Sequence, residues 1–375
     1  MSTNPFYLKA LPEIADHLFC NRVKEIAELV RMAESKNDVV IYAPRRFGKT
    51  SLVRRVQRRL AAQGAITIFT DFSGVGSVNE VAIKLATAVY EVTHGHEMLW
   101  KKAIRVLTSF RVVIRPSADG TNVEIIAEAA AGRTGMELLE AIMKELQVFV
   151  NESDCLVNVV FDEFQEIVAL PDAAKIEAIM RTHIQQYRAS HFYVGSRRRL
   201  LQNMFNDEQR PFFHSSLNFQ LPELPSKELV PFLVGLFAQG GKKLSAESAL
   251  ALVSLASCHP HYTIKLSFHV FEQSVAEVTD DDIFAGFRAL LSDDHNLFDS
   301  WLGALPPRQR LLLRALAKEP TDKLMATDYG RKHDLGSSTG IAHSSKQLQN
   351  LDYIEEGEDH IWRVVDPMFS RWLAS

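Results

Sequence analysis

The first strongly patterned stretch of the chain is a continuous apolar run, Val39-Val40-Ile41-Tyr42, which predicts a strand buried on both faces. After a turn, Thr50 to Gln63 places Leu52, Val53, Val56 and Leu60 on one face at helical spacing. Ala65 to Thr70 predicts a second strand, and about Val78 to Val92 a second helix. Apolar strands alternating with amphipathic helices are the pattern of a parallel sheet built from βα units. The alternation is interrupted between Phe110 and Ala127. There Arg111–Arg115 and Asn122–Ile126 flank the turn signal Pro116-Ser117-Ala118-Asp119-Gly120, predicting a hairpin inserted into the α/β core. A helix over about Thr134–Val150 resumes the pattern, followed by strands at Leu156–Phe161, His191–Val194 and Leu217–Leu221.

Beyond Pro225 the strands stop. Helical patterns occupy Ser226–Ala238, Ala246–Ala256, Tyr262–Ala276 and Asp281–Leu290, and Leu305-Pro306-Pro307 marks a second break. Downstream come helices at about Arg308–Ala317, Met325–His333 and Ser337–Leu351. Short strands near Tyr353–Glu355 and Ile361–Val364 then flank the turn Glu356-Gly357-Glu358. Three helices and a small hairpin predict a winged helix. The expected division is an α/β domain over 1–225, a helical domain over 226–304 and a winged-helix domain over 305–375, with no internal repeat.

The composition of the 375 residues (46% hydrophobic, 23% charged) suits a globular protein with a substantial core and excludes a disordered or collagen-like chain. Cys20, Cys155 and Cys258 are far apart and form no CxxC pair, which suits a reducing compartment and argues against structural zinc. The first 18 residues carry Glu13 and Asp16 and lack the apolar core of a signal peptide, and no long apolar run exists. These features lead us to expect a cytoplasmic protein without a membrane span.

The strongest chemical signal lies between the first strand and its helix: Ala43-Pro44-Arg45-Arg46-Phe47-Gly48-Lys49-Thr50. A loop that cradles phosphates needs inward backbone N–H groups, a helix N-terminus aimed at the anion, a Lys for the terminal phosphates and a Ser/Thr hydroxyl for magnesium. Gly48, Lys49 and Thr50 supply the end of GxxxxGK[ST] in order, while Ala43 stands where the pattern has its first Gly. A chance Gly-Lys-Thr in a loop is the competing reading. A second signal supports the first: Val157-Asn158-Val159-Val160-Phe161-Asp162-Glu163 is an apolar strand ending in two carboxylates. Asp162 is placed to assist a metal through water and Glu163 to polarise an attacking water; a solvated strand end is the bland alternative. No GxSxG elbow and no Cys/His nucleophile pair is present, and His94-Gly95-His96 reads as a chance pair in a loop.

With these motifs the chain resembles the archaeal-type ATPases of the STAND clade within the AAA+ superfamily. The matching text is Phe19-Cys20-Asn21-Arg22 with Glu25 and Leu29, Ile41 to Leu52, Val160 to Glu166, Tyr193-Val194-Gly195-Ser196-Arg197, and Asp366 to Trp372. The resemblance implies a five-stranded P-loop NTPase sheet of the AAA+/ASCE type, an all-α lid and a winged helix. It also implies ATP or ADP and Mg²⁺ as ligands, with ATP hydrolysis driving a slow conformational switch. Carried over residue by residue, Lys49, Glu163 and Arg197 are the catalytic candidates. Arg22, Ala43, Pro44, Arg45, Arg46, Phe47, Gly48, Lys49, Thr50 and Ser51 are the nucleotide-binding set, with Thr50 and Asp162 for the metal. Arg22 as a mere helix cap, and Arg197 as one surface charge in Arg197-Arg198-Arg199, are the rival readings. Cys258-His259-Pro260 stands where related ATPases place a Gly-x-Pro lid motif; without the Gly, Pro260 reads as a helix break. Arg210 is the one guess for an arginine acting on a neighbouring copy.

Charge refines the choice of partners. The net charge of -4 conceals residues 39–70, which carry seven Lys or Arg and no Asp or Glu. That segment points to a small polyanion, the triphosphate, although Arg54, Arg55, Arg58 and Arg59 also suit a solvated helix face. In the winged helix, Ser337, Ser338, His343, Lys346 and Gln347 are available on the expected recognition helix. From Pro306 onward, however, ten basic residues meet ten acidic ones, and Glu355, Glu356, Glu358 and Asp359 crowd the wing. DNA-reading modules are usually basic. The expected partners are therefore the nucleotide and a protein partner or second copy, with the hairpin as a candidate docking element. A nucleic-acid-binding regulator with a structural nucleotide site is the alternative function.

Overall fold

The computed structural model describes residues 3–8, 18–94, 110–116, 123–129, 132–357 and 359–375. The turn at 117–120, Glu13, Asp16, His96 and Glu358 lie outside the described residues. The chain divides into two units, one of Arg22–Arg45 and Lys49–Leu221, the other of Met1–Asn21, Arg46–Gly48 and Pro222–Ser375.

The first unit contains, in chain order, α1 (Val23–Glu34), β1 (Val39–Tyr42), α2 (Lys49–Ala62), β2 (Ile66–Asp71), α3 (Val78–His94), β3 (Phe110–Pro116) and β4 (Val123–Ala129). It continues with α4 (Gly135–Glu152), β5 (Val157–Asp162), α5 (Ala173–Ile184), β6 (Ser190–Gly195), α6 (Arg198–Asn206) and β7 (Leu217–Gln220). Five strands form one sheet in the order β2-β5-β6-β1-β7, every pairing parallel. β1, β5 and β6 are buried at every position, which explains why each reads as an unbroken rather than an alternating apolar run. Of the buried polar side chains in these strands, Asn158 in β5 is satisfied: its Oδ1 accepts from Gln57 Nε2 at 3.2 Å, and its Nδ2 donates to Ser190 Oγ at 3.4 Å. Because Gln57 lies on α2, this contact fixes α2 against the strand that ends in Asp162.

β3 and β4 pair antiparallel as a separate two-stranded sheet. The Ala127 N–H donates to Thr87 Oγ1 of α3 at 3.1 Å. α4 starts where the sequence supplies a capping box: Thr134 accepts from the Glu137 N–H, and the Glu137 side chain accepts from the Thr134 N–H. Such a box contributes about 1 kcal/mol to a helix start.

The second unit holds α7 (Ser226–Gln239), α8 (Ala246–Leu255), α9 (Pro260–Gln273), α10 (Asp280–Asp293), α11 (His295–Gly303), α12 (Pro307–Lys318), α13 (Thr327–Lys332) and α14 (Ser338–Asn350). The wing β8 (Ile354–Glu356) and β9 (Trp362–Val364) and the final helix α15 (Pro367–Ala374) complete it. The helical pattern breaks between Leu255 and Pro260 as expected, and Pro260 itself begins α9, where a Pro at the first helical position loses no hydrogen bond. Asp366 caps α15 by accepting from the Met368 and Phe369 N–H groups, and accepts from Tyr262 Oη at 2.6 Å. From the N-terminal segment, Phe6 packs against Phe237 and Phe271. Among the described residues no helix is long and apolar enough to cross a membrane.

One buried acid sets a pH dependence in the first unit. Glu145 of α4 is 8% exposed and accepts from Tyr90 Oη at 3.0 Å. Burial pushes its carboxyl up from 4.5 to about 7, the Tyr90 hydrogen bond opposing. A folded-state value above the unfolded one means that the contribution is complete below 4.5 and is lost as pH rises towards 7. Glu145→Gln cannot ionise. Its stability relative to the wild type should therefore improve by about 1–3 kcal/mol between pH 5 and pH 8, measured by chemical denaturation at each pH. A difference that does not change with pH contradicts this.

Candidate functional site

Three strands of the first unit end at the same edge of the sheet: β1 at Tyr42, β5 at Asp162 and β6 at Gly195. β6 lies between the other two, with Tyr42 in register with Gly195. In open α/β sheets this carboxyl edge is where ligands bind. The segment leaving β1 runs through Ala43 to Gly48, and α2 begins at Lys49 with no acidic residue in its first turn. The N–H groups of that turn have no intrahelical acceptors, and the helix dipole adds positive potential there. The turn into the helix is made by Arg46 (φ 59°) and Gly48 (φ 85°), both left-handed. Gly48 has open space where a Cβ would stand, so the backbone conformation is what asks for glycine there.

Lys49 is 5% exposed, and its ammonium donates to the Ala43 carbonyl at 3.0 Å and the Pro44 carbonyl at 2.9 Å. Burial pulls it down to about 8, against the raising effect of Glu163 and Asp162. The Thr50 hydroxyl donates to Asp162 Oδ2 at 2.6 Å, joining the start of α2 to the end of β5. Asp162, 3% exposed, also accepts from the Glu163 N–H through Oδ1 at 3.0 Å, and burial pushes its carboxyl up to about 6. Glu163 is left-handed at φ 49°. Its Oε2 accepts from Ser196 Oγ at 3.1 Å and from Gln165 Nε2.

The structure thus brings Ala43, Pro44, Lys49, Thr50, Asp162 and Glu163 into one cluster, with Ser51 half-buried in the first turn of α2 and Arg45 exposed. Arg197 is half-buried directly after Ser196, at the N-cap of α6, where its side chain makes no capping bond. Arg22 is buried and left-handed (φ 68°) at the N-cap of α1, where its carbonyl accepts from the Ile26 N–H at 2.9 Å and its guanidinium donates to Glu25 Oε1 at 2.9 Å without a side-chain capping bond. Arg46 and Phe47 group with the second unit, Arg46 Nη1 lying 3.2 Å from His261 Nε2 and the Phe47 ring standing edge-on to His259. Arg210 donates to Glu177, a carboxylate with no exposure, and so is engaged within its own unit. Arg54 lies over the Phe69 ring at 3.4 Å, and Arg58 and Arg59 are exposed, as a solvated face requires.

Gln165 and Ser196 join the cluster without having been singled out in the sequence. Both lie in the text that carries the resemblance, Val160 to Glu166 and Tyr193 to Arg197, and that match is the signal that could have found them. Among the described residues no group of three or more His, Cys, Asp or Glu is arranged to hold a metal ion. The Thr50 hydroxyl and the buried Asp162 carboxylate nevertheless fit a hard cation whose other ligands are phosphate and water oxygens.

Residues 19–206 match the family described as "ATPase domain predominantly from Archaea". The chain belongs to this family. Residues 296–375 match a probable winged helix domain, so an ATPase-type P-loop domain is followed by helices and a winged helix. Comparison with curated proteins finds no match. Among solved structures, a Walker-type ATPase of Pyrococcus abyssi is similar at 15% identity, covering 98% of this chain and 99% of that one, with a TM-score of 0.72. The Aeropyrum pernix ORC2 protein, solved as ADPNP-ADP complexes, is similar at 16% identity over 96% and 93% of the two chains, with a TM-score of 0.55. The ORC1 protein of the same organism, in complex with DNA, gives 14% identity over 96% and 94%, with a TM-score of 0.50. At these identities the likeness concerns the fold.

Gly195 seats this ATPase-type cluster. A Cβ there would lie 1.9 Å from Gln165 Oε1 and 2.7 Å from Leu201 Cδ1. Gly195→Ala should therefore destabilise the protein by about 1–3 kcal/mol, as overpacking does in other cores; equilibrium urea denaturation measures it. An unchanged midpoint would show that the strand end is looser than described.

Proposed function

We propose that this chain is a Mg²⁺-dependent, cytoplasmic P-loop ATPase of the STAND clade within AAA+, cycling slowly between ATP- and ADP-bound conformations. The observation that carries this reading is the cluster in which Lys49, Thr50, Asp162 and Glu163 meet at one sheet edge. In it, the N–H groups of the loop and of α2 hold the β- and γ-phosphates, and Lys49 exchanges the Ala43 and Pro44 carbonyls for phosphate oxygens. Thr50, and Asp162 through water, would hold Mg²⁺, which would supply charge neutralisation to the phosphates. Glu163 takes the proton of a water whose oxygen bonds to the γ-phosphorus. The bond from that phosphorus to the β,γ-bridging oxygen breaks, giving ADP and inorganic phosphate, and the proton passes on to solvent. Arg197 faces the terminal phosphate in this scheme. Arg22 and Ser51 flank the nucleotide, and Ala43 to Phe47 contribute backbone.

The division into an ATPase domain over 1–225, a lid over 226–304 and a winged helix over 305–375 belongs to the same proposal. Ser337, Ser338, His343, Lys346 and Gln347 are all exposed on or beside α14. The wing carries Glu355, Glu356 and Asp359, acidic where a phosphate backbone asks for positive charge. A protein partner or a second copy is therefore favoured over DNA as the receiver of the switch.

Glu163→Gln is expected to leave the ATP dissociation constant within about twofold and to lower kcat by ~100-fold or more, the usual share of a general base. Phosphate release and fluorescent-nucleotide titration measure the two quantities. Wild-type turnover by this variant would remove Glu163 from the mechanism.

A further inference from the structure

Glu163 is held by its neighbours in an unusual way. Its backbone sits in the left-handed region, which a non-glycine residue occupies at an energetic cost and which clusters at functional sites. Both side-chain hydrogen bonds fall on one oxygen, Oε2: one from Ser196 at the end of β6, the other from Gln165 in the 3₁₀ turn Phe164–Ala169. Among the described residues no hydrogen bond reaches Oε1. Gln165 is itself 1% exposed. Its amide Nε2 faces the Glu163 carboxylate, with Glu166 Oε1 further off at 3.4 Å, while its Oε1 lies against Gly195 and has no hydrogen-bond partner among the described residues. Burying an amide with half its hydrogen-bonding capacity unused carries a desolvation penalty. An apolar side chain would fill that space without the penalty.

We infer that Gln165 is a positioning residue. Wedged against Gly195, it anchors one oxygen of Glu163 together with Ser196, so that the other oxygen is the one presented to water. Gly195 is part of the device, since a Cβ there would occupy the place of the Gln165 amide oxygen. The inference rests on the ATPase reading above, in which Glu163 is the group that receives the proton.

The test compares kcat and KM for ATP, and ADP affinity by fluorescence titration, in wild type, Gln165→Met, Ser196→Ala, Ser196→Thr and Glu163→Gln. Met keeps the length and burial of Gln without its donors. Gln165→Met should lower kcat about tenfold or more, with KM and ADP affinity within about twofold, because misplacing a catalytic group slows chemistry without weakening nucleotide contacts. Ser196→Ala should do the same and Ser196→Thr should restore kcat, which keeps the test alive should Gln165→Met fold poorly. In the Glu163→Gln background, Gln165→Met should cause no further loss. Wild-type kcat in both Gln165→Met and Ser196→Ala, alongside an inactive Glu163→Gln, overturns the positioning role and leaves the ATPase reading standing. Absence of turnover in the wild type overturns the ATPase reading and this inference with it, whereas full turnover in Glu163→Gln removes Glu163 from the mechanism and overturns this inference while ATP hydrolysis stands.

Discussion

The hydrogen bond from Thr50 to Asp162 is the constraint around which the first unit is arranged. It joins the first turn of one helix to the end of a strand 112 residues later, and it forms only because β1 and β5 are parallel and end at the same edge. β6 separates the two strands. The gap between the loop after β1 and the carboxylates after β5 is thus set by one intervening strand, and the end of that strand, Gly195-Ser196, looks onto Glu163. The buried contact between Gln57 and Asn158 repeats the same linkage one layer deeper, again between α2 and β5. Both ends of the cluster are consequently held by the sheet, which positions side chains more firmly than loops could.

The electrostatics follow from the same burial. Lys49, Asp162 and Glu163 share a confined space in which taking charge out of water is the largest influence on the first two. Lys49 is drawn down and Asp162 pushed up, each towards its neutral form, although the two carboxylates favour a charged Lys49. A cluster in that state gains from a ligand that brings its own charges, because phosphates and a divalent cation would return to Lys49 and Asp162 the partners that water supplied. The carbonyls of Ala43 and Pro44 accept from Lys49 where phosphate oxygens would otherwise do so.

The second unit is organised on helix ends. Asp366 accepts from Tyr262 while capping α15, so one carboxylate ties α9 to the last helix of the chain. Pro260 at the first position of α9 starts that helix. A Pro in this setting signals an N-terminus as readily as a break, and only the chain on its far side distinguishes the two.

Much of this was legible in the residues. The unbroken apolar runs announced buried parallel strands, and Gly48-Lys49-Thr50 with Asp162-Glu163 matched the pattern of a phosphate loop and its acids. Five helices were given no range: Val23–Glu34, Ala173–Ile184, Arg198–Asn206, His295–Gly303 and Pro367–Ala374. The second buries Glu177 and His183 beside Ile176 and Met180, which blurs its apolar stripe, and the last three span only eight or nine residues each. What the sequence determined by itself is local: which segments bury, where helices begin, and which residue types can bind phosphate. Tertiary structure decided which strand lies between β1 and β5, and therefore that Ser196 and Gln165 meet on one oxygen of Glu163. It also decided that Arg210 donates to Glu177 within its own unit. Such pairings depend on the order of strands in the sheet, and hydrophobic periodicity carries no record of that order.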